Sequence, residues 1–215
     1  MPSTTPVPAT IAEVLERLPG YPASRIRVRP APGTATERDV IEVHDREGRL
    51  CELIDGVLVE KVMGYYESRV AAVLIFLIER HLQSSPLGIV AGADGMMRLA
   101  PGLVRIPDVS FVDWARLPGR QVPRAPIPDL VPDLAIEVLS EGNSPQEMTR
   151  KVREYFATGV RLVWLFQPDD RSVEVHTSPD RSTVLPQGDM LDGGDVLPGF
   201  SIRVGEVYDR ASGTF

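Results

Sequence analysis

Hydrophobic and polar positions change period several times along this chain, and the changes mark its elements. The segment 67–82 contains V-A-A-V-L-I-F-L-I, apolar on every face of a helix, which predicts a helix buried against a sheet. Just before it, L-C-E-L-I and V-L-V-E-K flank Asp55-Gly56, a pair that predicts a tight hairpin with Glu52 on its first strand and Glu60 on its second. The Gly-bounded segments 88–92 and 95–99 read as strands. Two further apolar runs, V-R-I-P-D-V-S-F-V at 104–112 and L-A-I-E-V-L-S at 134–140, read as strands that each carry one carboxylate, Asp108 and Glu137. S-P-Q-E at 144–147 predicts a helix start, with Ser144 as N-cap, Pro145 at the first helical position and Glu147 closing a capping box. Met148, Val152, Tyr155 and Phe156 give that helix one apolar stripe, and Gly159 is placed to end it. The uniformly apolar run 160–166 predicts a central strand. A closing hairpin follows at 171–176 and 181–185, and L-P-G-F-S-I-R-V ends the fold near residue 208.

The ends carry less pattern. Residues 1–9, rich in Pro, Ser and Thr, are expected to lack regular structure. Thr10 caps a short helix at 11–18 that Pro19-Gly20 ends, and 25–29 reads as a strand. The chain thus divides into an N-terminal extension (1–48, with a short helix and strand), a main domain (49–208) and a tail (209–215). The fold class expected is α/β (mixed α+β), a mixed central sheet with the buried helix on one face and the 145–157 helix on the other. The connection 114–133 holds Trp114, Arg116, Arg120, Arg124 and five prolines, and is long for a compact domain.

Composition narrows the function classes. A chain of 215 residues suits one domain, and its net charge of -7 argues against indiscriminate electrostatic binding of nucleic acid, though not against a local basic groove. The single cysteine, Cys51, rules out an internal disulfide and suits a reducing cytoplasm. No basic and apolar leader opens the chain, and its longest apolar run falls far short of the about 20 residues of a membrane span, so no membrane association is expected. Three scattered histidines give neither a zinc spacing nor a His-based triad, and no P-loop or G-x-G-x-x-G appears.

The chemistry candidates are therefore carboxylates. An isolated Asp108 is most simply a strand-end residue bonded to a loop amide, and Glu137 a buried ion-pair partner. Glu52 beside the hairpin reads most simply as structural, and Lys151 as a helix-surface partner of Glu147. Taken together, Asp108 and Glu137 on apolar strands need compensation, and a divalent cation held by oxygen ligands supplies it.

In order, I-P-D-V (106–109), E-V-L-S (137–140) and K-x-x-x-Y (151–155) resemble the PD-(D/E)XK nuclease superfamily, and more closely its restriction-endonuclease-like Uma-two family. The resemblance extends through E-L-I-D-G, the long apolar helix and K-V-R-E-Y-F-A-T-G-V, most of residues 50–208. It implies a mixed sheet flanked by helices, and Mg²⁺ or Mn²⁺ on Asp108 and Glu137 with the Val138 carbonyl as third ligand. It further implies Lys151 as the cation that orients the attacking water, and Glu52 as a helper carboxylate. Two positions depart from the pattern: the usual E-x-K lysine falls at Leu139, and Tyr65-Tyr66-Glu67-Ser68 stands where members often carry a His. The expected activity is phosphodiester hydrolysis of nucleic acid, DNA first, with Arg116, Arg120, Arg124, Arg150 and Arg153 as phosphate contacts and a homodimer compatible with the hairpin strands. The rival reading is a non-catalytic binding or dimerisation module with Asp108 and Glu137 held in salt bridges, favoured if Arg105 or Arg153 lies between them. Metal-dependent hydrolysis of another substrate also fits.

Overall fold

The computed structural model describes residues 7–214, so most of the expectation for residues 1–9 lies outside the described residues. The Asp55-Gly56 hairpin forms as its sequence requires. β1 (Cys51–Ile54) and β2 (Val57–Glu60) pair with Ile54 opposite Val57, and both turn residues take positive φ, 50° at Asp55 and 74° at Gly56, as this turn type demands. The hairpin does not join the central sheet. It belongs to a separate four-stranded sheet, β2-β1-β5-β4, with β4 (Met97–Ala100) and β5 (Leu103–Arg105).

The central sheet has six strands in the order β10 (Arg181–Leu185), β9 (Ser172–Ser178), β8 (Leu162–Gln167), β7 (Leu134–Val138), β6 (Val109–Asp113) and β3 (Gly88–Ala91). The sheet is mixed: β7 and β8 are parallel, joined by the crossover helix α4 (Pro145–Thr158), and its other pairs are antiparallel. As expected, β8 lies inside the sheet and β9–β10 close it as a hairpin. Alternation along β7 then sorts its side chains. Ile136 joins Val109, Phe111 and Trp164 under α3 (Tyr65–Ser84), whereas Ala135 joins Val163, Leu165, Met148, Val152 and Tyr155 under α4. Glu137 is in phase with Ala135, so it faces α4.

The structure corrects several element readings. The single strand at 104–112 is two, because Pro107 offers no N–H to continue the ladder. The chain leaves the four-stranded sheet after Arg105 and enters the central sheet at Val109, with Asp108 at the crossing and its N–H on the Ile136 carbonyl at 3.0 Å. The strand at 25–29 does not form. A 3-10 turn at Ala23–Arg25 and one bridge, Ile26 to Val59, replace it, while Arg25 and Arg27 are drawn into ion pairs with Glu147, Glu60 and Glu47. One helix has no counterpart in the sequence reading: α2 (Glu37–Glu47), started by a Thr36–Asp39 capping box and burying Val40 and Val43 against Cys51, Leu53 and Leu58. The long helix α3 keeps a solvent face, where Phe76 is 53% exposed. Near the other end, α1 (Ile11–Arg17) is capped by Thr10 as expected. The fold also runs past residue 208. Helix α5 (Val204–Ser212) follows a small pair, β11 (Met190–Asp192) and β12 (Ser201–Arg203), and Arg69 of α3 donates to its last carbonyls, on Arg210 and Ala211.

At the start of α4 the capping box is half formed. Ser144 Oγ accepts the Glu147 N–H at 3.1 Å, but the buried Glu147 carboxylate pairs with Arg25 at 3.0 Å instead of returning to Ser144. Ser144→Ala is expected to lower unfolding free energy by about 1 kcal/mol, read as a shift in the urea midpoint at unchanged slope.

Candidate functional site

The crossing at Ile106-Pro107-Asp108 ties the two sheets together, so carboxylates from both meet beside it. Glu52 comes from β1, Asp108 from the crossing and Glu137 from β7, and all three are buried. Three cations meet them. Lys61, the residue after β2, places Nζ 2.7 Å from Asp108 Oδ1 and also donates to the Ile106 carbonyl. Lys151, on the buried side of α4, stands 3.2 Å from Glu137 Oε2 and 3.3 Å from Glu52 Oε1. Arg105, at the end of β5, binds Glu52 Oε2 at 2.7 Å and reaches Glu154. The remaining oxygens are also claimed. The Val138 N–H donates to Asp108 Oδ2 at 2.6 Å, the Tyr155 hydroxyl to Glu137 Oε1 at 2.5 Å, and the Ile106 N–H to Glu52 Oε1 at 3.3 Å.

The electrostatics follow from this packing. Burial pushes the Glu52 carboxyl up, but Lys151, Arg105 and Lys61 outweigh it and hold it at about 2. Burial also opposes the Lys151 charge, yet Glu137 and Glu52 raise its pKa above the ordinary lysine range, so at neutral pH it is a fixed cation and no proton acceptor. Glu137 is shifted the other way from Glu52. Burial raises its carboxyl, and Lys151 and Lys61 only partly offset that. Burial, followed by the Glu137 charge, drives the Tyr155 hydroxyl well above its usual value, which keeps it a hydrogen-bond donor.

Of the residues singled out from the sequence, Asp108, Glu137, Lys151 and Glu52 share one network, and the Val138 backbone joins it. Arg116, Arg120, Arg124 and Arg153 do not, and Arg150 touches only its margin, through the Glu154 that Arg105 also binds. Arg116 holds Asp133 and the Gly159 carbonyl at the opposite end of β6 from Asp108. Arg120 lies over the Trp114 ring, and Arg124 is exposed in the same connection. Arg150 is engaged by Glu154, Asp55 and the Arg17 carbonyl, while Arg153 is exposed on α4. Neither Arg105 nor Arg153 lies between Asp108 and Glu137, and the cations on those two are lysines. Lys61 is the residue that pattern reading misses. A signal exists: of 23 lysines and arginines only Lys61 and Lys151 are lysines, and both are in this network.

The donor set suits a hard divalent cation, since Asp108 and Glu137 offer carboxylate oxygens, the ligand type such ions prefer. It is not a closed cage. Among the described residues no three acidic, His or Cys side chains are grouped as metal ligands, and Lys61 and Lys151 stand against the carboxylates. The fit is thus to two protein carboxylates, with the other ligands from backbone, water or substrate. A separate cavity of about 300 Å³ on the other edge of α4, lined by Met148, Val152, Leu165, Glu174 and His176 among others, includes none of these carboxylates. Among the described residues no helix is long and apolar enough to cross a membrane.

No curated protein matches the chain. Among solved structures, a "putative nuclease belonging to DUF820" from Anabaena variabilis superposes with a TM-score of 0.67 at 18% identity, over 75% of this chain and 91% of that one. At that identity the likeness establishes the fold, a restriction-endonuclease-like mixed sheet flanked by helices. The model of a protein family described as "Putative restriction endonuclease" matches residues 38–205, a stretch that includes all of α2 but its first residue, the four- and six-stranded sheets and every member of the carboxylate network. The chain belongs to the Uma2 family.

Proposed function

We propose that this protein is a metal-dependent nuclease that hydrolyses phosphodiester bonds of nucleic acid, DNA in the first instance, with Mg²⁺ or Mn²⁺ as cofactor. The observation that carries this reading is the meeting of Asp108, from the crossing between the two sheets, and Glu137, from β7 inside the central sheet, with Lys151 fixed beside Glu137. Asp108, Glu137 and the Val138 carbonyl would hold the metal, which when bound acidifies a water and offsets charge on the phosphoryl group. Lys151, kept cationic by Glu137 and Glu52, orients the attacking water and stabilises charge that develops on phosphorus-bound oxygen. Tyr155 fixes Glu137 through its hydroxyl, and Glu52 sets the position of Lys151. Arg116 and Arg150 are already engaged by carboxylates of the chain, which leaves the exposed Arg124 and Arg153 as the freer candidates for phosphate contact.

The test is cleavage of duplex DNA, single-stranded DNA and RNA with Mg²⁺, Mn²⁺ or chelator, together with calorimetric metal binding. Asp108→Asn and Glu137→Gln are each expected to lower the cleavage rate about 10²–10³-fold, the usual loss when one stabiliser of transition-state charge is removed, and to weaken metal binding. Cleavage that persists in both variants would sink the assignment. One observation favours a second reading, a non-catalytic nuclease-fold module: every carboxylate in the network already has a cation of the chain against it. That reading requires the wild type neither to bind metal nor to cut, even with oligonucleotide present.

A further inference from the structure

Lys61 stands at the one carboxylate oxygen of Asp108 that the backbone leaves to it. Oδ2 is fixed by the Val138 N–H, so Oδ1 is the atom through which Asp108 would hold a metal, and the Lys61 ammonium is on it at 2.7 Å with both side chains 6% exposed. The Lys61 main chain is anchored by its N–H on the Leu50 carbonyl, but Lys61 opens the irregular connection 61–64 that leads into α3. Its side chain can therefore swing without disturbing a strand. Charge supplies the reason it should. Glu52, Asp108 and Glu137 face Lys61, Lys151 and Arg105, three against three, so adding a divalent cation while all three remain would leave two uncompensated positive charges in a buried site.

We infer that Lys61 is the exchangeable counter-cation of the metal-free site: Mg²⁺ or Mn²⁺ enters by displacing its ammonium from Asp108 Oδ1. Lys151 cannot play this part, since it is held by two carboxylates, whereas Lys61 has one carboxylate and one carbonyl. Lysine suits exchange because its ammonium is a compact charge on a flexible stem, unlike a forked guanidinium. The consequence is that Lys61 sets metal affinity. It also becomes a cation released from its carboxylate when metal is bound, available to a substrate phosphate. The inference rests on the metal-site reading above.

Two measurements test it on the full chain. In calorimetric Mn²⁺ titrations, Lys61→Met is expected to bind at least about tenfold tighter than wild type, because the competitor is gone, while Lys61→Arg gains nothing. A purely supporting role for Lys61 would weaken binding instead. In the wild type, amine acetylation read by mass spectrometry is expected to be slow at Lys61 without metal and faster with saturating Mn²⁺, with Lys151 protected in both. This arm does not depend on the variant folding. Wild-type binding with unchanged or weaker affinity in Lys61→Met, or Lys61 labelling indifferent to Mn²⁺, would overturn the exchange and leave the metal site standing. Absence of Mn²⁺ binding in wild type and variant alike, with or without a DNA oligonucleotide, would overturn both.

Discussion

Replacing Arg105 with methionine is expected to lower unfolding free energy by about 3 kcal/mol, the low end of the cost of breaking a buried ion pair. Arg105 is 0% exposed and its partner Glu52 is 1% exposed, so water cannot take the guanidinium's place. The low end applies because Glu52 keeps Lys151 at 3.3 Å and the Ile106 N–H at 3.3 Å. Lys151, however, is shared with Glu137, so the network would then hold three carboxylates against two cations. The companion Glu52→Gln/Arg105→Met is expected to recover at least half the loss, since the unpaired charge is the main cost. Urea unfolding of the two singles and the double measures the coupling directly. A single-variant loss below about 1 kcal/mol would mean that the network is solvated and resembles a surface pair. The same pair shapes the acid limb. Glu52 titrates near 4.5 when unfolded and at about 2 when folded, so its stabilisation is complete above 4.5 and is lost as pH falls from there toward 2. Without Arg105 the folded value rises, and that acid-side loss shrinks.

Much of the fold and of the carboxylate network is legible in the sequence, and the exceptions have physical causes. Glu137 stands out because a carboxylate between Ile136 and Val138 in a fully apolar strand must have partners, and it has Lys151 and Tyr155. Asp108 is legible as a carboxylate beside a proline, but the effect of Pro107 exceeds what its local pattern implies. It does not merely end a strand; it moves the chain between sheets, which is why Glu52 and Glu137 can meet. Residues 39–44 carry no decisive pattern by themselves, because Thr36 lies outside that window and α2 is started by its capping box with Asp39. Arg25 and Arg27 look like strand residues by spacing, yet ion pairs made with residues up to 122 positions away decide their conformation, a tertiary effect invisible to local pattern. Lys61 follows Glu60 at the end of a hairpin strand and reads as a solvated charge. Only the scarcity of lysine marks it. Of the arginines expected at phosphates, the fold uses Arg116 and Arg150 as structural ties to Asp133, Asp55 and Glu154.

Lys151→Met should show the other large effect, and its sign with pH distinguishes it from simple loss of packing. Methionine fills nearly the same space, so the change is mainly the removal of a cation from between Glu137 and Glu52, with an expected cost of about 3–5 kcal/mol at neutral pH. Burial already raises the Glu137 carboxyl above the 4.5 of an unfolded chain, and Lys151 is the strongest influence opposing that rise. Without Lys151, folded Glu137 holds its proton to still higher pH. A group whose folded pKa is raised contributes stability that is complete below its unfolded value and lost as pH rises through its folded value. The deficit of Lys151→Met relative to wild type is therefore expected to be largest above neutrality and to shrink as pH falls toward about 5. Glu52 moves in the same direction, because Lys151 is also the largest influence that lowers its carboxyl, and a double variant separates the two contributions. Glu137→Gln/Lys151→Met should regain most of the deficit and flatten its pH dependence, because the carboxyl that needed the cation is gone. Urea midpoints across that pH range, for wild type, single and double variants, decide the point. Equal deficits at both ends of the range would mean that Lys151 stabilises the fold through packing of its stem and not as the counter-charge of Glu137.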